Sequence, residues 1–231
     1  MPNQIVIFGL AIVLIVIVLV LAHLAAKKRR EELEAFARSM GFTFAPDDDE
    51  AALVHAQYDG FEPFGRGRGQ TSYNLITGAR KDLRFEMFDY KYTTGSGKNK
   101  RTHRCGIVAA HVPVWFKKLR LRPEGFFDKM AAFAGFDDIN FESHEFSARY
   151  HVACDDRQYA YQLIHPQAIE FLLRCPALHW QFNGPVVVIH KRGRFKPDEL
   201  RHVVEAVEGF VKLVPAFVRE DHAHLGAPKL G

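Results

Sequence analysis

The chain has 231 residues, 20 of them Phe, and 48% hydrophobic content, which excludes a disordered tail and leaves enough chain to bury a substantial core. Its formal charge of +4 is local: residues 1–30 hold four bases and no acid, so residues 31–231 hold 27 of each sign, which argues against nucleic acid as a partner. Three scattered cysteines, Cys105, Cys154 and Cys175, lack C-x-x-C spacing, excluding a disulfide framework and a paired-ligand zinc site.

Residues 5–26 carry no Asp, Glu, Lys or Arg and are apolar throughout apart from His23. As a helix they span ~33 Å, enough for a bilayer core of ~30 Å. Lys27, Lys28, Arg29 and Arg30 follow at once, and residues 1–4 contain no base. The positive-inside rule then predicts a single-pass protein of the cell membrane, with a short N-terminus outside and the C-terminal domain in the cytoplasm. A cleaved signal peptide would place its charges before a shorter apolar run. The four bases are the expected contacts for anionic headgroups.

Residues 27–41 continue as a basic, amphipathic juxtamembrane helix, with Leu33, Phe36, Ala37 and Met40 at helical spacing and Gly41 as the stop. Beyond it the expectation is a soluble α+β domain over 42–220, with a mostly antiparallel sheet, packed helices and two halves that could meet near 112–123. A short helix is expected over Glu50–Gln57, and period-two alternation begins near Gln70. Leu83, Phe85 and Met87 share one parity, whereas Phe88, Tyr90 and Tyr92 take the other. That switch predicts a long strand that carries a bulge or passes between two layers.

Thr93–Asn99 is a turn cluster, so this strand and a second over Arg101–Val112 are expected to form a hairpin. Leu119 and Leu121 predict a short edge strand, and Glu124–Phe133 a helix. Phe146–Cys154 alternates cleanly and reads as a strand. Asp155-Asp156 caps a helix to about Ile164, and Pro166 opens another that ends at Cys175-Pro176. Trp180–Phe182 and Val186–His190 are expected to form a hairpin turning at Asn183-Gly184. Leu200–Val214 predicts an amphipathic helix opened by Pro197, and residues 221–231 a flexible tail.

Candidate chemistry is sparse. Gly95-Ser96-Gly97-Lys98 lacks the first glycine and the final Ser/Thr of a P-loop and precedes a strand, so it reads as a turn. Asp137, His144 and His151 are weak metal candidates; no H-E-x-x-H occurs, and no cofactor is indicated. Catalytic residues are not identifiable, because no G-x-S-x-G elbow is present and 27 carboxylates offer no preferred pair. Trp115, Lys117, Lys118 and Arg120 interleave aromatic and basic side chains and form a second candidate membrane-surface contact.

The stretches Leu121–Lys129, Gly135–Ser143 and Phe146–Val152, then Tyr159-Ala160 and Ile164-His165-Pro166, with the anchor and the Tyr-Thr-Thr-Gly-Ser-Gly turn, resemble a group of uncharacterised bacterial single-pass membrane proteins. The resemblance implies a bacterial membrane protein and carries no mechanism. The expected function is a membrane-anchored module that binds a protein partner or the membrane surface. The alternatives are a membrane-associated hydrolase using the Asp137–His151 region and an accessory subunit of a membrane assembly that packs Leu200–Val214 against its partner.

Overall fold

The computed structural model describes residues 2–46, 49–124 and 139–220. Helix α1 (Pro2–Met40) runs unbroken from the apolar segment into the juxtamembrane stretch. Its apolar side chains from Ile7 to Leu24 are exposed, whereas Leu33, Phe36 and Ala37 are buried against the rest of the protein. The helix is long and apolar enough to cross a membrane, and the section that would do so has no protein neighbour covering it. Gly41, at φ 71°, ends it: a left-handed residue there costs no Cβ clash and lets the chain turn back.

The remaining elements make an α+β fold. Strands β1 (Thr43–Ala45), β2 (Arg68–Arg80), β3 (Leu83–Thr94) and β4 (Arg101–Pro123) pair antiparallel in that order, with α2 (Asp49–Leu53) and a 3-10 turn (Val54–Tyr58) between β1 and β2. The chain continues through α3 (His144–Arg149), β5 (Tyr150–Cys154), α4 (Arg157–Leu163), α5 (Pro166–Arg174), β6 (His179–Arg192), α6 (Pro197–Leu213) and α7 (Ala216–Glu220). β5 and β6 both pair antiparallel with β4 and complete a six-stranded sheet.

The parity switch in β3 has a simple cause. The β3–β4 register is unbroken from Arg84↔His111 to Thr94↔Arg101, so the strand contains no bulge against that neighbour. It lies instead between two layers. Leu83, Phe85 and Met87 join the core shared with α1 and α6, and Phe88, Tyr90 and Tyr92 join a second core under Val54, Tyr58, Phe61 and Phe64. Burying each such side chain contributes ~1.5–3 kcal/mol, so both faces of β3 stabilise the fold.

Several expectations are corrected. Arg101–Val112 and Leu119–Leu121 belong to one 23-residue strand, β4. Leu119 and Leu121 are not at an edge: each pairs with β5 on one side and β6 on the other, and both are fully buried. Phe146–Arg149 is helical, not extended, and only Tyr150–Cys154 is strand. Phe146 and Tyr150 are four residues apart, so they share a face in a helical turn as they do in a strand. The Ser143 hydroxyl accepts the Phe146 N–H at 3.3 Å and decides for the helix. The expected helix over Glu124–Phe133 and the tail from 221 lie outside the described residues, apart from Glu124 itself.

The hairpin expected at Asn183-Gly184 is a bend within the single strand β6. A straight strand would separate His179 from His190 by ~36 Å, yet their rings lie 4.2 Å apart between centroids. The two halves of β6 do not pair with each other. Both follow β4, which carries register shifts between His111 and Phe116 and between Phe116 and Leu119. Gly184, at φ 56°, sits in this curl. The face of α6 comprising Leu200, Val203, Val204, Val207, Phe210 and Val211 is buried on the protein's own core, so it is not available to a partner.

Candidate functional site

Arg29 fixes α1 to the sheet. Its guanidinium donates from Nη2 to Asp89 Oδ1 at 2.9 Å and from Nη1 to the Phe195 carbonyl at 2.6 Å. Asn74 supports the pair by donating to Asp89 Oδ2 at 2.9 Å. The two charged side chains are 12% and 3% exposed. Phe195 reaches this position because Gly106 lies beneath it; a Cβ at Gly106 would stand 2.5 Å from the Phe195 ring.

The sequence groups Arg29 with Lys27, Lys28 and Arg30 as contacts for the membrane surface. The structure keeps those three exposed, with the lysines beside Glu31 and Glu32, and turns Arg29 inward. The physical reason is helical geometry: Arg29 lies four residues before Leu33, on the face that packs on the domain.

This contact sets a direction. At the other end of the packed stretch, Met40 Sδ lies near the guanidinium of Arg80, the residue paired with Leu83. α1 therefore runs antiparallel to β3. The end of β3 beyond Asp89, the β3–β4 turn, the start of β2 and the end of β6 all extend toward the apolar half of α1. Strand pairing gathers them there: Arg68↔Thr93, Thr94↔Arg101 and Gly106↔Lys191. The three segments concerned, 65–70, 91–104 and 191–196, contain eleven Lys and Arg and no Asp or Glu. From residue 31 onward the rest of the chain then has 16 bases against 27 acids. A sequence neutral by count folds into a domain with one basic pole.

A cleft of about 480 Å³ opens at this pole, with Arg66, Arg101, Arg104 and Arg192 on its lining and Glu62 as its one acid. Glu62 is already engaged by Arg66 at 2.8 Å, Arg120 at 3.4 Å and Arg122 at 3.5 Å. One wall is flat: the His103 imidazole stacks on Tyr92, 4.8 Å between centroids and 12° from parallel, and its Nε2 is 2.8 Å from the Thr94 hydroxyl.

The floor is a chain of neutral hydrogen bonds whose direction is determined. The Glu62 N–H donates to Gln181 Oε1 at 2.8 Å, and Gln181 Nε2 donates to the Glu62 carbonyl at 2.7 Å, which fixes the amide orientation. The second Nε2 hydrogen points to His190 Nδ1 at 3.3 Å, so His190 carries its proton on Nε2 and donates to His179 Nδ1 at 3.1 Å. Burial holds both imidazoles neutral. It pushes His190 down to about 3, with Arg66 and Arg122 adding to the effect. His179 lies well below the ordinary histidine range because of burial and then His190 beside it. The arrangement positions arginines over an uncharged, rigid base, which suits binding of an anion; burial pushes the Cys105 thiol on the lining up to about 11.

A second polar group lies under the 3-10 turn. Tyr58 donates to Glu86 Oε2 at 2.6 Å, and His111 Nε2 is 3.1 Å from the same hydroxyl. Burial and the Glu86 carboxylate raise the Tyr58 phenol far above its ordinary value, and burial lowers His111. Tyr58 is 1% exposed, and the trio pins the turn to the sheet.

The remaining sequence-selected residues do not converge. Lys117 pairs with Asp156 at 2.6 Å, a contact that lowers the Asp156 carboxyl, and Lys118 is exposed. Trp115 is half-buried near Gly184, and Arg120 turns to Glu62. The register shifts along β4 scatter the four. His151 lies 2.7 Å from Glu124, and His144 is exposed at the start of α3. Asp137 lies outside the described residues. Among the described residues no three His, Cys, Asp or Glu side chains group as metal donors. From sequence alone Gly65–Gly69, with Arg66, reads as a flexible turn, and Glu62, Arg101, Arg104, Arg192 and the His179–Gln181–His190 chain carry no assignment. The Gly-Arg-Gly-Arg-Gly run and the acid-free stretch 91–104 were the available signal.

No family model matches the chain, and no curated protein matches it. A solved structure does: that of the mycobacterial trehalose monomycolate transport factor A, TtfA, at a TM-score of 0.56 and 12% identity, covering 80% of this chain and 96% of that one. At that identity the likeness is one of fold.

Proposed function

We propose that this chain is a single-pass membrane protein whose cytoplasmic domain works as a binding module at the membrane surface, serving as an accessory factor of a membrane assembly. The observation that carries this reading is the union of Arg29 with Asp89 and the Phe195 carbonyl. It makes the anchor and the sheet one mechanical unit and directs the basic pole toward the bilayer, where anionic headgroups would meet it. The fold neighbour is a transport factor, which agrees with an accessory role. The charges at Lys27–Arg30, all on the C-terminal side of the apolar run, support the cytoplasmic orientation.

The test is hydrogen exchange on the full chain in nanodiscs of phosphatidylcholine alone and of phosphatidylcholine with phosphatidylglycerol. Slowed exchange over 91–104 in the anionic discs is the expected result. Identical exchange in both discs would remove the surface-binding reading.

A further inference from the structure

The arginine-lined cleft is more particular than the charged pole around it. Ten or more scattered lysines and arginines attract any anion at long range, but they do not choose one. The cleft gathers Arg66, Arg101 and Arg192 around about 480 Å³ of space, a volume in the range of small-ligand sites; Arg104, paired with Lys91, turns its side chain to the opposite face of the sheet. Guanidiniums bind phosphate through paired, parallel N–H donors, a geometry that ammonium groups lack.

The walls are set before any ligand arrives. The Tyr92–His103 stack and its Thr94 contact hold one side. The doubly bonded Gln181 amide holds the loop bearing Glu62 and Arg66. β4 runs on past the end of β6, so the ladder gives residues 101–103 a strand neighbour on one side only and the cleft opens along that free flank.

We propose that this cleft receives the phosphate of an anionic phospholipid headgroup, presented by the same membrane that α1 enters. Arg101, exposed on the open flank, grips the phosphate. Arg66, already anchored by Glu62, and Arg192 complete its surroundings. A lipid is favoured over a soluble phosphate because the cleft lies on the pole directed along α1 toward the apolar run. This inference rests on the membrane-facing reading of the pole, and the experiment below separates the two.

The full chain, purified in neutral detergent, is mixed with equal amounts of phosphatidylcholine and phosphatidylglycerol, and the lipids it retains are counted by native mass spectrometry. Two double variants carry the same charge change: Arg101→Glu with Arg192→Glu in the cleft, and Lys98→Glu with Lys100→Glu on the turn outside it. The expected result is one phosphatidylglycerol held by the unaltered chain. The cleft variant should lose roughly tenfold in retention, as for loss of a charge-assisted pair, whereas the turn variant stays close to the parent.

Equal losses in the two variants, or retention of both lipids alike, would overturn the site. So would displacement of the lipid by an equal concentration of inorganic phosphate or a short oligonucleotide. If the site fails while anionic nanodiscs still slow exchange over 91–104, only the cleft proposal falls. If that protection is also absent, the membrane-facing reading falls with it. Melting temperature reports whether each variant is folded, and Arg101→Ala with Arg192→Ala repeats the comparison should the glutamates unfold the chain.

Discussion

Arg29 and Asp89 form a charge pair that is almost withdrawn from water, and such pairs are costly to break from one side. Removing one partner leaves a buried charge without its counterion, which costs ~3–5 kcal/mol, whereas replacing both with apolar groups of similar size is often tolerated. Arg29→Ala should therefore lower the denaturant midpoint strongly, and Arg29→Met with Asp89→Leu should recover much of the loss. A double-mutant cycle by chemical denaturation measures the difference. The His179–His190 pair gives the second residue-scale expectation. His190 has a folded value of about 3 against an ordinary 6.5, so the unfolded chain binds the extra proton between those limits. Stability is complete above pH 6.5 and falls as the pH drops toward 3, by up to ~1.4 kcal/mol per pH unit for this residue alone. His179, His55 and His111, all lowered by burial, act in the same sense. Urea melts at pH 7.5 and pH 5 check the sign, and His190→Gln should flatten the dependence.

Among the elements, the coiled β4–β6 ribbon decides most of the site. Its curl places His179, Gln181 and His190 on one concave surface and brings Arg120 and Arg122 to Glu62. Two glycines in it fail differently when filled. At Gly184 an added Cβ meets nothing nearer than 3.7 Å, so alanine there costs only the left-handed backbone, ~1–2 kcal/mol. At Gly106 the same methyl would meet the Phe195 ring at 2.5 Å and the Phe195 backbone nitrogen at 2.7 Å. Gly106→Ala should displace Phe195, loosen its bond to Arg29 and cost more than Gly184→Ala; thermal melts of the two variants make the comparison. Helices α4, α5 and α6 were legible because capping and period were both present: Asp156 caps α4, and Pro166 and Pro197 open α5 and α6. β4 and β6 were each read as two pieces. A bulge interrupts alternation just as a turn does, and only the partner strand distinguishes them.

The whole molecule is electrically lopsided in a way that residue counts conceal. Eleven of the bases are gathered at one end of the domain, and a domain so charged orients in the field of an anionic surface. That orientation depends on ionic strength. Raising salt from about 0.1 M to 1 M shortens the screening length from ~10 Å to ~3 Å. Any protection of 91–104 in anionic nanodiscs should therefore diminish across that range. The Arg29–Asp89 pair, being buried, should hold, so exchange near Asp89 ought to stay unchanged in the same samples.

By itself the sequence determined the long apolar helix, the basic residues at its end, the α+β class and the period-two face switch in β3. Each of these follows from contacts along the chain or from a repeat that a single element must satisfy. Tertiary structure alone decided the inward turn of Arg29, the curl of β6 and the gathering of Arg66, Arg101 and Arg192 around one cleft. Those arginines come from three separate stretches of chain, joined only by strand register. Register is set by which long-range pairs bury best, and no local pattern in the chain carries that information.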